Sequence, residues 1–260
     1  MKRLLTAFQF LTIIPLPKKI DISERDIIES VPYFVVVGIF QGFVAIGVFS
    51  ISRELFNHDI SSFLSLLTLI LINGGFHMDG LADTFDALSI KPKGDELEDR
   101  LRRLSAMKDS YTGAIGAIAL ISIFTLKFFV LKEILMENLF ALPIITGLSR
   151  WAITVTMKIG KEAKKEGLGS LFMGNIKTRH IIFSTTIFLC FFTIFLFFEW
   201  NKKTFLIMLP LLFFISLVIV IFWNYLCNRK FGGQTGDTLG AQIELTEAIM
   251  LLSVIPLLKV

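Results

Sequence analysis

The chain has 260 residues, 54% of them hydrophobic and 27 of them Phe, and its mean hydropathy is +0.71. Only 18% of residues are charged, against about 25% in soluble domains, which argues against a soluble enzyme, a disordered chain or a nucleic-acid binder. A net charge of +4 implies no polyanionic partner, and Cys190 and Cys227 both sit in apolar runs that suit neither a disulfide framework nor a cysteine metal site.

Met1-Lys2-Arg3 followed by LLTAFQFLTIIPLP has the outline of a signal peptide. No small-residue cleavage site follows, and Pro15 and Pro17 end the apolar run too soon for a bilayer span. The segment is therefore expected to remain, either as a short helix at the membrane interface or as one re-entering the core. Stretches at 31–51, 60–78, 112–131, 137–157, 181–199, 204–227 and 239–258 have the length and apolarity of transmembrane helices. No internal repeat or long linker divides them. The expectation is one all-α, polytopic membrane bundle over residues 1–260, with about seven spans and additional interfacial helices.

Lys and Arg are retained on the cytoplasmic side of a membrane. The N-terminus, 79–111, 158–180 and 228–238 together carry 19 basic residues, and the opposite loops and C-terminus carry 5. This bias places the N-terminus and the three large polar segments on the cytoplasmic side of the membrane. Any chemistry is expected on that face.

The clearest chemical signal is GGFHMDGLADTFDAL, where an apolar helix runs into Asp79, Asp83 and Asp86. At 100° per residue the three lie within roughly 60° of one another on a helix wheel. Each would cost about 2.5–3.5 kcal/mol at the bilayer centre, so a counter-charge is required. A hard divalent cation such as Mg²⁺, sharing substrate phosphates, supplies it; a solvated acidic helix end is the alternative. Gly80 and Ala82 would let a phosphate approach, and His77 falls on the opposite side of the same wheel.

DELEDRLRRLSAMKDSYTGAIGAIAL reads as an interfacial amphipathic helix with Leu97, Leu101 and Leu104 on one face and Glu98, Asp99 and Arg100 solvated. After it, Lys108, Asp109 and Ser110 precede Gly113 and Gly116, where helix amides could meet a phosphate or small residues could serve packing. Arg150 within an apolar span needs an acidic partner or a substrate phosphate, unless it snorkels to the interface. Around EGLGSLFMGN, Gly167, Gly169 and Gly174 could form a mobile loop over an anionic substrate, while the nearby lysines fix topology. In FGGQTGDTLGAQIELTEA, Gly232, Gly233, Thr235 and Gly236 form a candidate phosphate turn, Asp237 is either an N-cap or functional, and Glu244 and Glu247 need a partner such as Arg150 or a metal.

Taken together, HMDGLADTFDAL, MKDSYTGAIGAIAL, EGLGSLFMG and GGQTGDTLGAQIEL, with the N-terminal FLTIIPLP, resemble the cobalamin synthase family, the adenosylcobinamide-GDP ribazoletransferases. The resemblance runs in order through nearly the whole chain. It implies transfer of the cobinamide-phosphate portion of adenosylcobinamide-GDP onto α-ribazole or its 5'-phosphate, with release of GMP and a requirement for Mg²⁺. It implies metal binding by Asp79, Asp83 and Asp86, with Asp109 and Asp237 as further ligands or as the base. Substrate contacts would come from His77, Lys108, Ser110, Arg150, Gly232, Gly233, Thr235, Gly236 and Glu244. Met78, Ala87 and Tyr111 depart from the family pattern, the last standing where Arg is common. A second copy of the chain and other enzymes of the pathway are further candidate partners. A CDP-alcohol phosphotransferase is the competing enzyme reading, disfavoured because Asp83 rather than Arg follows Ala82. A cation or proton transporter using the intramembrane acids is the competing non-enzyme reading.

Overall fold

The computed structural model describes residues 1–15, 21–109, 111–165, 167–198 and 202–258. The protein is an all-α, polytopic membrane bundle of twelve described helices, and among the described residues the one β-bridge is Glu162 with Gln234. Two short helices open it, α1 (Lys2–Leu11) and α2 (Glu24–Ser30), the latter started by a Ser23–Asp26 capping box. A 3-10 turn at Val31–Tyr33 leads into α3 (Phe34–Ser52). Then come α4 (His58–Ile72), α5 (Phe76–Ser89), α6 (Glu96–Ala106), α7 (Ala114–Glu137), α8 (Ala141–Ile159) and α9 (Leu168–Phe172). The chain closes with α10 (Thr178–Phe198), α11 (Lys202–Phe231) and α12 (Gly236–Leu258).

Among the described residues five helices are long and apolar enough to cross a membrane, or six spans if the bent pair α4 and α5 is one. The expected stretches at 60–78 and 137–157 are the two that differ. The first breaks: Gly74 and Gly75 have φ of 69° and 76°, the left-handed region that glycine enters without strain, and α5 departs from α4 by 82°. The second, α8, carries Thr146, Ser149, Arg150, Thr154 and Thr156, all buried, and is walled by α3, α10, α11 and α12. A helix polar on several sides is stable where neighbouring helices rather than lipid surround it.

The tightest wall is α3 on α8. A Cβ on Gly38 would collide with the Thr146 carbonyl oxygen, and one on Gly42 would lie 2.5 Å from Pro143 Cα. Gly38 and Gly42 form a small-xxx-small pair of the kind that lets membrane helices approach closely. The N-terminal helix α1 packs on α2 and α3, and the Leu11 carbonyl accepts the Gln41 amide at 3.0 Å, so α1 is part of the bundle wall.

The three basic segments converge on one end. Lys164 Nζ donates to the Leu104 carbonyl at 3.1 Å, and Gln234 N donates to the Lys161 carbonyl at 2.7 Å. Arg103 reaches the carbonyls of Ile90 and Lys230. At the opposite end His58 Nε2 meets the Lys132 carbonyl, and Lys132 pairs with Asp59 at 2.7 Å. On α6, Leu97 and Leu101 are exposed and Leu104 is buried. Asp99 is not solvated as expected: it is buried and accepts the Lys93 N–H with both oxygens, at 2.9 and 3.1 Å, closing the α5–α6 loop.

Candidate active site

Because α5 turns away from α4, it lies across the N-terminal parts of α7 and α12. Gly80 brings its backbone against α12: a Cβ there would be 2.7 Å from the Asp237 carbonyl oxygen and 2.9 Å from its Cα. The expected room for a phosphate beside Gly80 is thus filled by Asp237. Three residues from Gly80 along α5 is Asp83, half-buried, with a carboxyl group raised to about pKa 6 by burial and by the charges of Asp79, Asp237 and Asp86, in that order.

The third acid of the expected trio is turned elsewhere. Asp86 accepts the backbone N–H groups of Gly113 and Gly116, one on each oxygen, both at 2.7 Å. The amides at the start of α7, read from sequence as a phosphate or packing site, are therefore met by a carboxylate of the protein itself. Asp79, Asp83 and Asp86 do not make a closed cage, and among the described residues no three His, Cys, Asp or Glu side chains are gathered to hold a metal ion alone. Asp79, Asp83 and Asp237 still form an acidic cluster without a cation among the influences on Asp83. Within it Asp79 and Asp83 fit a Mg²⁺ ion whose other ligands come from substrate phosphates, the arrangement Mg²⁺ usually adopts.

Thr235, not Asp237, caps α12, and the Asp237 carboxylate accepts the Thr235 hydroxyl at 3.4 Å. Thr238 N donates to Thr235 Oγ1 at 3.2 Å, and Thr235 N donates to Thr238 Oγ1 at 2.8 Å, a reciprocal pair at the start of α12. The glycines before it shape the turn. Gly232 has φ 82°, and a Cβ on Gly233 would collide with the Lys161 carbonyl oxygen. This close approach registers 161–163 against 233–235 and brings Lys164 to the start of α12.

Two cavities meet at Gly236 and Asp237, which line both. The wider, about 740 Å³, is bounded by Lys108, Lys164, Lys165, Gly167, Gly169 and Thr235 among others. Burial and the Lys108 charge lower the pKa of Lys164 from its ordinary value. The expected mobile loop is instead the short helix α9, docked by Gly169 against the Gln234 carbonyl. The narrower cavity, about 310 Å³, contains Asp79 and His77.

Arg150 and Glu244, expected at the substrate, lie inside the bundle. Arg150 pairs with Glu247 and donates to Ser149 Oγ at 2.8 Å. Lys127 Nζ bridges Glu244 and Glu247 at 2.8 and 2.6 Å. His77 Nδ1 stands 3.9 Å from Glu244. Sequence reading gave Lys127 no role, although a lysine in mid-span and two glutamates in another span were a readable pair. Asp109 is exposed, accepts the Tyr111 N–H and lines neither cavity, and Ser110 lies outside the described residues.

The sequence model of the family described as Cobalamin-5-phosphate synthase matches residues 3–255. The chain is 38% identical over 260 residues to the adenosylcobinamide-GDP ribazoletransferase of Thermodesulfovibrio yellowstonii, covering 97% of this chain and 95% of that protein. It is 34% identical to that of Thermoanaerobacter pseudethanolicus, covering 97% and 96%, and 28% identical to that of Klebsiella pneumoniae, covering 98% and 100%. No solved structure matches the chain.

Proposed function

The chain belongs to the cobalamin-5-phosphate synthase family, and from that premise we propose that it carries out the reaction for which its relatives are named. It is a transferase of the cobalamin nucleotide loop. It moves the cobinamide-phosphate group of adenosylcobinamide-GDP onto α-ribazole or its 5'-phosphate at the cytoplasmic face of a prokaryotic inner membrane. The observation that carries this reading is the meeting of a lysine-lined cavity and a mostly apolar one at Asp237, beside Asp79 of α5.

Lys108, Lys164 and Lys165 bind the donor diphosphate, and the reciprocal Thr235–Thr238 cap holds Asp237 at the junction. A ribose hydroxyl oxygen of the acceptor forms a bond to the cobinamide-side phosphorus. The bond from that phosphorus to the oxygen bridging it to GMP breaks, and GMP leaves with the electron pair. Asp237 takes the hydroxyl proton, and in-line placement of the two substrates supplies much of the acceleration. Asp79 and Asp83 would hold Mg²⁺, which when bound offsets charge on the transferring and leaving phosphates.

Incubating the protein in liposomes with adenosylcobinamide-GDP, α-ribazole and Mg²⁺ should give GMP and adenosylcobalamin in equal amounts. Absence of both products from folded protein would overturn the assignment.

A further inference from the structure

We propose that the narrower cavity seats the flat apolar base of the acceptor nucleoside, so that each substrate has its own chamber and transfer takes place at their shared wall. This rests on the transferase reading above and adds to it where the acceptor lies.

Size comes first. At about 310 Å³ the cavity is at the lower end of small-molecule sites, suited to a nucleoside-sized group and too small for a corrin carrying GDP. The nature of its wall comes second. Phe10, Phe76 and Phe172 face it together with Ile243, and among the described residues no Lys or Arg lines it, whereas three lysines line the wider chamber. An anionic diphosphate gains nothing from the first wall and much from the second, while an uncharged aromatic ring gains from stacking and edge contacts with the phenylalanines. Phe10 and Phe172 are already held edge-on at 5.5 Å, so the wall is pre-ordered.

The polar end supplies the third observation. His77 is buried, and its Nδ1 has no hydrogen-bond partner in the protein, Glu244 being too distant at 3.9 Å. That nitrogen is buried on the side of Glu244, a member of the internal charge network, so the polar groups left to meet the acceptor are carboxylates. Asp79 and Asp237 stand at the same cavity, which places the acceptor's ribose next to the carboxylates that the reaction needs.

The test is equilibrium binding of α-ribazole to the full-length protein in detergent, alongside steady-state KM values for both substrates. Phe76→Ala removes a ring that is 69% exposed, so the fold is retained, and Ile243→Trp fills the cavity from its buried side. Phe76→Ala should weaken α-ribazole binding about tenfold and raise its KM by the same factor, leaving the KM for adenosylcobinamide-GDP within about twofold. Ile243→Trp should do the same more severely. Unchanged α-ribazole binding in Phe76→Ala, a selective rise in the donor KM, or no α-ribazole binding by the wild type would overturn the proposal. Wild type that binds α-ribazole through this cavity but releases no GMP would sustain the cavity assignment and defeat the transferase reading.

Discussion

Asp86 on α5 accepts the backbone N–H of Gly116 on α7 at 2.7 Å, and through its other oxygen that of Gly113 at the same distance. The carboxylate thereby caps α7 where the helix dipole is positive and pins α5 across the bundle end. A Cβ on Gly116 would collide with this carboxylate, and one on Gly113 would lie 2.5 Å from it, so both glycines are required for the approach.

Asp86→Ala should therefore destabilise the protein by about 0.5–2 kcal/mol, the usual loss for an N-cap. Asp86→Asn, which keeps one acceptor oxygen, should lose less. Thermal unfolding in detergent checks this, and equal stability of all three proteins would contradict the capping role.

Gly80→Ala is expected to be more disruptive than a surface alanine, because its Cβ would sit 2.7 Å from the Asp237 carbonyl oxygen. Separating α5 from α12 should cost about 1–3 kcal/mol and move Asp237 relative to Asp79 and Asp83. Turnover should fall by more than the loss of folded protein accounts for, as measured by kcat per folded molecule.

The charges inside the bundle make a different prediction. Lys127→Met leaves Glu244 without the ammonium that reaches it at 2.8 Å, and removes one of the two cations on Glu247. Breaking such a buried pair costs about 3–5 kcal/mol. Lys127→Met combined with Glu244→Met should recover much of that loss in a denaturation titration; no recovery would show that the network is not paired this way.

Proton competition at the acidic cluster gives a pH dependence with a definite sign. Asp83 is raised to about 6, so below that pH it holds a proton and is neutral, and above it the carboxylate is free to bind a cation. Mg²⁺ affinity should fall as pH drops through about 6, by up to tenfold per unit, and Asp83→Asn should remove the dependence. Lys164 acts at the other end of the range: its pKa is lowered by burial and by Lys108, so donor binding should weaken at a pH below that at which an ordinary lysine discharges.

Much of this arrangement was legible in the sequence because hydropathy and charge are local signals. The spans, the basic asymmetry, the acidic motif and the turn before α12 all come from runs of neighbouring residues. What was not legible depends on three-dimensional closure. The Asn73–Gly75 break was hidden by continuous apolarity up to Ile72, although the Gly-Gly pair marked it. The carboxylate wheel grouped Asp86 with Asp79 and Asp83, but a wheel cannot say that a helix N-terminus 27 residues away will claim one of them. Arg150 was expected to meet either an acid or a substrate phosphate, and the Arg150–glutamate alternative is the one formed, through Glu247; Glu244, assigned to substrate, is met by Lys127 instead.

The central claim is that the α5 carboxylates beside Asp237 hold the cation and diphosphate of the transfer. Its most direct test is GMP release by Asp83→Asn across a Mg²⁺ titration, with membrane insertion and thermal stability measured on the same preparation. The account predicts wild-type turnover that rises with Mg²⁺, and an inserted, stable variant that releases no GMP at any concentration. Wild-type rates in Asp83→Asn, or turnover indifferent to Mg²⁺, would contradict it.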